Sequence, residues 1–524
     1  MDRRALLRWA ALAASAPTWI GSLAQTPASI RRYPFGLGVA SGSPGPTSVV
    51  LWTRLHTDAG SDAGRLDEWS DLALRWEIAE DAAFRRIVRG GQALALSALN
   101  HCVHVEVVGL RPDRWYHYRF MLAGAVSPTG RTRTLPLPGA AVKSLRLAYA
   151  SCQKWEDGYF TAWRHLRADD PDLVLFLGDY LYEYPANSTK LRVPAGGWVL
   201  SLDDYRARYA QYRSDPHLQA MHAHCAWLPV WDDHEVQNDY AGTQAGNSKA
   251  APGGFHRRRA AAYQAYYENM PLPVSALTQG MDGLETGAEL RLYSSFQIGR
   301  LARIYMLDGR QYRDPQVGAI SGGSGLVDPT LCAQWDAPQR SYLGALQEQW
   351  LSSQLSMPQA LTTSWNILGQ QTLFGKLAYK GRNGERQWND GWDGYAAARR
   401  RLTDALQEGH TPNPVILGGD THENWVGHVL ADYSRPDSRR VGVEFCGTSI
   451  TSGSGTKEVS ALLAANPHFV FADGKHHGYG LVDIKPDQLR VRLRIVEDVT
   501  VPDSTVRTLA SFSVPAGHPQ IQQD

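Results

Sequence analysis

The sequence predicts an α/β layered domain built around one central site, preceded by a small all-β domain. Two observations carry this. After residue 144, six apolar strand patterns alternate with helical stretches, and each strand pattern ends in a chemistry-bearing polar group. Before residue 140, the chain shows only short strand patterns separated by Gly/Pro turns. At 524 residues it is too long for one ordinary domain.

The organising stretch is Asp172 to Glu183, D-L-V-L-F-L-G-D-Y-L-Y-E. Leu173 to Leu177 is a continuous apolar run, as in a strand buried on both faces. Gly178 allows a tight turn, and Asp179 and Tyr182 follow at the strand's carboxyl end. A carboxylate and a phenol so spaced can face one hard cation. They can equally be a helix cap and a half-buried packing residue. Recurrence elsewhere decides between the two readings. Leu145–Ala150 runs into Ser151-Cys152-Gln153, and Ala226–Trp231 runs into Asp232-Asp233-His234-Glu235 and then Asn238-Asp239. Ala302–Leu307 runs into Asp308-Gly309-Arg310-Gln311, and Trp365–Leu368 into Gly369-Gln370-Gln371. Pro414–Leu417 runs into Gly418-Gly419-Asp420-Thr421-His422-Glu423-Asn424. Helical patterns cover Asp203–His224, opened by a capping-box-like Ser201 to Asp204, then His256–Asn269 and Gln339–Leu355. One polar strand end is a turn; six carrying Cys, Asp, Tyr, His, Arg and Gln exceed turn chemistry.

The first 140 residues contain an address and a β domain. Met1 to Ala24 has a charged zone with Arg3 and Arg4, a mildly apolar zone, and a Ser22-Leu23-Ala24 cleavage pattern. The paired arginines with a weak hydrophobic core read as a twin-arginine signal, the competitor being an ordinary secretory signal. The expected partner in export is the twin-arginine translocase, and the expected location is periplasmic or extracellular. Val49–Arg54, Leu74–Ile78, His104–Val108 and Trp115–Leu122 are candidate strands. Leu110 to Phe120 looks like the turn-then-strand of an immunoglobulin- or fibronectin-like sandwich. No His/Asp/Glu cluster converges there, and Leu135–Ala140 reads as a linker.

Bulk properties exclude some functions. Lys plus Arg is 53 against 52 for Asp plus Glu, a balance that gives no electrostatic reason to expect nucleic acid or an anionic membrane surface as the main partner, and no nucleic-acid-binding patch is expected. No stretch after residue 30 is apolar for the 18 or so residues of a membrane span. The five cysteines are an odd number, so at least one thiol lies outside intramolecular pairing. The pairing of the others stays open.

The donor types indicate the inorganic chemistry. Phenolate, thiolate and carboxylate favour a strongly Lewis-acidic metal, and a phenol with a free pKa of about 10 is held as phenolate by Fe(III). Asp179 has two oxygens and can bridge two metals, while Asp233, Asn238 and Asp420 suit a second, harder ion. Two metals about 3.5–4 Å apart form a clamp for phosphoester cleavage.

S-C-Q at 151–153, G-D-Y-L-Y-E at 178–183, W-D-D-H-E-V-Q-N-D at 231–239, L-D-G-R-Q-Y-R at 307–313 and G-G-D-T-H-E-N-W at 418–425 together resemble the alkaline phosphatase D (PhoD-like) family. The resemblance covers most of the chain. It implies a calcineurin-like metallophosphoesterase αββα sandwich over 144–515, a β-sandwich domain over 30–140 and a signal peptide over 1–24. It also implies an exported phosphomonoesterase or phosphodiesterase that scavenges phosphate from small phosphoester substrates, with Fe(III) and calcium as cofactors. Asp179 and Tyr182 also resemble the G-D-x-x-Y of purple acid phosphatases. One departure is Gly309, where the family more often has Thr, which bears on the shape of that loop.

The donor types and the resemblance together assign roles to the candidates. Cys152, Asp179 and Tyr182 are iron ligands, and His422 sits where related phosphoesterases place a metal-binding imidazole. Asp233, Asp420 and Asn238 belong to the second metal. His234 is the general acid for the leaving group, and Arg310 binds phosphate, with an ion pair to Asp308 or Asp314 as the competing reading. A metal-activated hydroxide attacks in line. Rival readings are a phospholipase-type phosphodiesterase and a non-catalytic exported binding protein.

Overall fold

The structure is a computed structural model that describes residues 33–524, apart from 57–70, 186–189, 247–253, 280–289, 321, 358–362, 382–383, 436 and 455–458. The expected signal segment, 1–24, lies outside the described residues.

The six strand patterns do form strands, but they are divided between two sheets. Leu145–Ala150, Leu173–Phe176 and Ala226–Pro229 lie side by side and parallel in a ten-stranded sheet. Ala302–Met306, Trp365–Gly369 and Pro414–Gly418 do the same in a seven-stranded sheet. The runs are largely apolar, with Arg146, Arg303 and Asn366 as exceptions, because each strand is covered on both faces. In the second sheet, Ile304, Ile367, Val415 and Leu417 face the large core shared with the first sheet. Their neighbours Tyr305, Leu368 and Ile416 face a second core, with Leu351 and Leu355 of helix Ala345–Leu355 and Leu402 and Leu406 of helix Ala396–Glu408. Side chains alternate across a strand, so one apolar run serves two cores. On the first sheet's outer side, Trp163 of helix Thr161–Ala168 packs on Phe176 and Trp227, which stack on each other.

The N-terminal residues fold as β structure. Leu72–Ala79, Ile87–Ala95, Trp115–Leu122, Ala125–Val126 and Gly130–Arg133 form one sheet. Val39–Gly42, Ser48–Arg54 and Cys102–Val108 instead extend the ten-stranded sheet, joined to Ala226–Pro229 through Gly42 opposite Trp227. The two layers enclose Val49, Leu51, Leu74, Ile78, Tyr118 and Phe120. Tyr116, the second residue of its strand, accepts a hydrogen bond from the Arg111 main-chain N–H at 2.9 Å, which ties the preceding turn to the strand.

Two helices differ from the sequence reading. Asp203–His224 is two helices, Leu202–Arg213 and Pro216–His224. Pro216 has no N–H to donate and starts a new helix, capped by Asp215, whose carboxylate accepts from the His217 and Leu218 N–H groups. The expected box at Ser201 is present, reciprocated by Asp204. The third helix begins at Ala345 rather than Gln339, because Gly344 at φ 75° breaks the helical path before it. All five cysteines are free thiols, four of them buried.

Candidate metal centre

Register aligns the strand ends. Phe176 lies opposite both Ala150 and Pro229, and Gly369 lies opposite Met306 and Leu417. The loops leaving the two sheets therefore emerge in two facing rows. Cys152, Asp179, Asp239, Asp420 and His422 all have φ between 56° and 65°. That left-handed region is costly for residues with a Cβ, and such strain clusters where surrounding structure over-determines a site. Gly178 is needed for a close approach, since a Cβ there would stand 2.3 Å from the Asp232 Cβ.

Four predicted ligands meet at one point. The Tyr182 hydroxyl donates to Asp179 Oδ2 at 2.9 Å and lies 3.1 Å from His422 Nε2. His422 Nδ1–H donates to the Gly453 carbonyl at 2.9 Å, which leaves the Nε2 lone pair facing Tyr182 and Asp179. Ligand atoms of Cys152, Asp179 and His422 lie within 4.8 Å of one another. The same limit groups Asp179 with Asp233 and His234, and Asp232 with Asp233 and Asp420. Asp179 and Asp233 each belong to two of these groups, as bridging carboxylates would. The donor set fits more than one metal ion: thiol, phenol and imidazole at one end, carboxylates at the other.

The catalytic candidates lie on either side. His234 Nδ1 is 2.7 Å from Glu183 Oε2, and the ring packs on Tyr182 at 4.1 Å between centroids. Asn238 donates its main-chain N–H to Glu183 Oε1, while its Oδ1 accepts from Tyr184 at 2.7 Å. Arg310 is 0% exposed. The sequence reading placed it on phosphate or on Asp308 or Asp314, but its guanidinium bonds Asp232 and, at 2.7 Å, Asp390. Only its main-chain N–H reaches Asp308. Nη2 has no hydrogen-bond partner and lies 3.8 Å from Asp233 and 3.6 Å from Asp420, directly beneath the cluster.

The electrostatics are those of crowded anionic donors. Burial, with Asp179 beside them, pushes the Cys152 thiol and the Tyr182 phenol well above their ordinary values. Burial also lifts Asp232 to about 8, opposed by Arg310, and raises Asp420 well above the carboxylate range. Burial works against charge at Asp233 too, but Arg310 and His234 hold it low. For His234, burial opposes the charged form, and Asp233, Asp179 and Glu183 outweigh it, raising the imidazole well above its ordinary value. Cations placed among these donors would offset their mutual repulsion.

Several buried residues escaped the sequence reading. Glu235 accepts from the main-chain N–H groups of Asp179, Tyr180 and Asp232, which fixes both ligand loops. Glu183 supports His234 and Asn238. Asp390 anchors Arg310 and Arg313 from a segment with no strand-end pattern. Glu183 and Glu235 were visible inside their motifs, but nothing in the sequence signals Asp390. Some strand-end polar groups are ties rather than ligands: Gln153 accepts from Trp163, Asp308 from Trp231, and Gln371 bonds across to Leu307. At Gly309, an added Cβ would stand 2.6 Å from the Tyr342 ring and 2.8 Å from Gln371 Oε1. Tyr342 fills the space that a larger side chain would need.

Two facing rows of strand ends that gather a thiol, a phenol, an imidazole and several carboxylates define a metal-dependent hydrolase of the phosphoesterase class. Residues 147–493 match the PhoD-like phosphatase family, and residues 21–136 match the N-terminal domain of PhoD-like phosphatases. Alkaline phosphatase D of Bacillus subtilis (strain 168) is 42% identical over 491 residues, covering 92% of this chain and 80% of that protein. A solved structure described as that of PhoD superposes with a TM-score of 0.86 at 40% identity, over 94% of this chain and 93% of the other. The chain belongs to the PhoD-like phosphatase family, a homologue of alkaline phosphatase D and a hydrolase of phosphoric esters. That removes the non-catalytic reading. Among the described residues, no helix is long and apolar enough to cross a membrane.

Proposed function

We propose that this enzyme is exported by the twin-arginine route and releases phosphate from small phosphomonoesters or phosphodiesters for scavenging, using Fe(III) and calcium. The observation that carries the metal assignment is the meeting of Tyr182, Asp179, His422 and Cys152 at one point. A phenol and a thiol among carboxylates suit a trivalent, strongly Lewis-acidic ion. In this reading Cys152, Asp179, Tyr182 and His422 hold iron, and Asp233, Asn238 and Asp420 hold calcium. The bound metals supply the Lewis acidity that activates water and neutralises the phosphoryl oxygens.

The remaining roles belong to the chain itself. Glu183 holds His234 Nδ1, so Nε2 is the nitrogen available to protonate the departing oxygen. Arg310, withdrawn from solvent, acts through Asp232, Asp233 and Asp420, favouring their ionised forms against the burial that opposes them. The two packed sheets flanked by helices support a calcineurin-like αββα sandwich over 144–515. The family matches support an N-terminal β domain over 30–140, which shares the ten-stranded sheet through Val39–Gly42, Ser48–Arg54 and Cys102–Val108. The paired Arg3 and Arg4 support the export route. Metal analysis of the purified, unreconstituted protein tests the central assignment. Iron and calcium should be found, activity should vanish with a strong chelator, and it should return when both ions are restored. An active protein containing neither would overturn it.

A further inference from the structure

We propose that Lys154 reads negative charge on the leaving group, so that the enzyme favours phosphoesters whose departing alcohol carries a further anionic group. The inference rests on the site reading given above, with His234 on the leaving-group side.

Lys154 lies two residues beyond Cys152, and its main-chain carbonyl accepts from Thr451 Oγ1 at 2.7 Å, which anchors the loop. Its ammonium stands 5.5 Å from the Tyr182 ring centroid and 5.8 Å from that of Tyr184. The His234 imidazole packs against the same two rings, at 4.1 and 5.3 Å. A cation and the proton donor thus share one aromatic wall. Among the described residues, two other cations nearby are committed. Arg310 has no exposed surface, and Arg192 is stacked 3.8 Å above Trp155 and paired with Asp215. Lys154 keeps 20% of its side chain exposed. Its own partners, Asp157 at 3.3 Å and Glu156 at 3.9 Å, are beyond the 2.7–2.9 Å of a tight charge-assisted bond, and Asp157 is shared with Lys190 at 2.5 Å. The floor of the site is carboxylate. In the site reading those carboxylates hold the metals, and Lys154 is the partly exposed cation on the aromatic wall that can meet an anionic leaving group.

A matched pair of substrates tests this: phenyl phosphate and 3-carboxyphenyl phosphate, with wild type, Lys154→Gln and Lys154→Arg. Wild type should favour the carboxylated ester, and added salt should shrink that preference. Lys154→Gln should lower the ratio of the two kcat/KM values roughly tenfold, mainly through KM, the worth of one hydrogen bond to a charged group. Lys154→Arg should restore most of the ratio. If Lys154→Gln slows both esters equally and leaves the ratio unmoved, Lys154 only ties its loop to Asp157 and the proposal falls. Asp179→Asn separates the two levels. Full activity in that variant would remove the site reading itself, whereas an inactive Asp179→Asn beside an unmoved ratio would remove only the role of Lys154.

Discussion

Glu183 and His234 meet through Oε2 and Nδ1 at 2.7 Å, and both side chains are almost wholly withdrawn from solvent. The second Glu183 oxygen takes the Asn238 main-chain N–H at 2.9 Å. One carboxylate therefore orients the proposed general acid and pins the loop that carries a proposed metal ligand.

This pairing sets the first prediction. An alkoxide needs a proton as it departs, and a nitrophenolate hardly does. General acid catalysis supplies about 10²–10⁴-fold. His234→Ala should lose roughly that much on an alkyl phosphoester and distinctly less on a nitrophenyl ester, with metal content unchanged. Equal losses with metal retained would mean that His234 positions phosphate. Lost metal would make it a ligand, in keeping with its place beside Asp179 and Asp233.

The second prediction concerns colour. With Tyr182 as a phenolate on Fe(III), the protein should show a visible charge-transfer band that Tyr182→Phe abolishes. A colourless, iron-free, active enzyme would contradict the assignment.

The third concerns export. Replacing Arg3 and Arg4 with Lys should leave the protein inside the cell if the twin-arginine route carries it. Unimpaired export of that variant, measured by fractionation, would favour the ordinary secretory route.

The fourth concerns acid stability, away from the metal centre. His104 is stacked on Tyr267 with centroids 4.3 Å apart and its Nδ1 faces the Leu272 carbonyl, and burial lowers its pKa to about 4. The unfolded chain, with a histidine pKa near 6.5, binds more protons between those values. The stabilisation is therefore complete above pH 6.5 and is lost as pH falls towards 4. Between pH 7 and pH 5 this one group should cost up to about 2 kcal/mol. His104→Asn should flatten the fall in urea-unfolding free energy by a similar amount. An unchanged slope would place the acid sensitivity in other groups.

Much of the site was legible along the chain. A parallel strand covered on both faces is mostly apolar, so its end stands out where polar residues cluster. Cys152, Asp179, Asp233 and Asp420 were found that way, and the structure brings all four into overlapping groups. Pro216 is a local signal that a helix reading over Asp203–His224 passes over: proline fits the first turn of a helix but not its interior, so a new helix begins there.

Other features had no local signature. An apolar run shows that a strand is buried, but not which sheet it joins, because both sheets demand the same pattern. Only the tertiary structure divided six strands into two sets of three and made their ends face one another. It also joined Val39–Gly42 to Ala226–Pro229, a pairing across nearly two hundred residues that local periodicity does not encode. Arg310 illustrates the same limit. Its residue type announced an anion partner, and its motif placed it at a strand end. Which anions it meets, Asp232 and Asp390 rather than Asp308 or Asp314, was decided by the packing that withdrew the guanidinium from solvent and required its single positive charge to be answered by buried carboxylates.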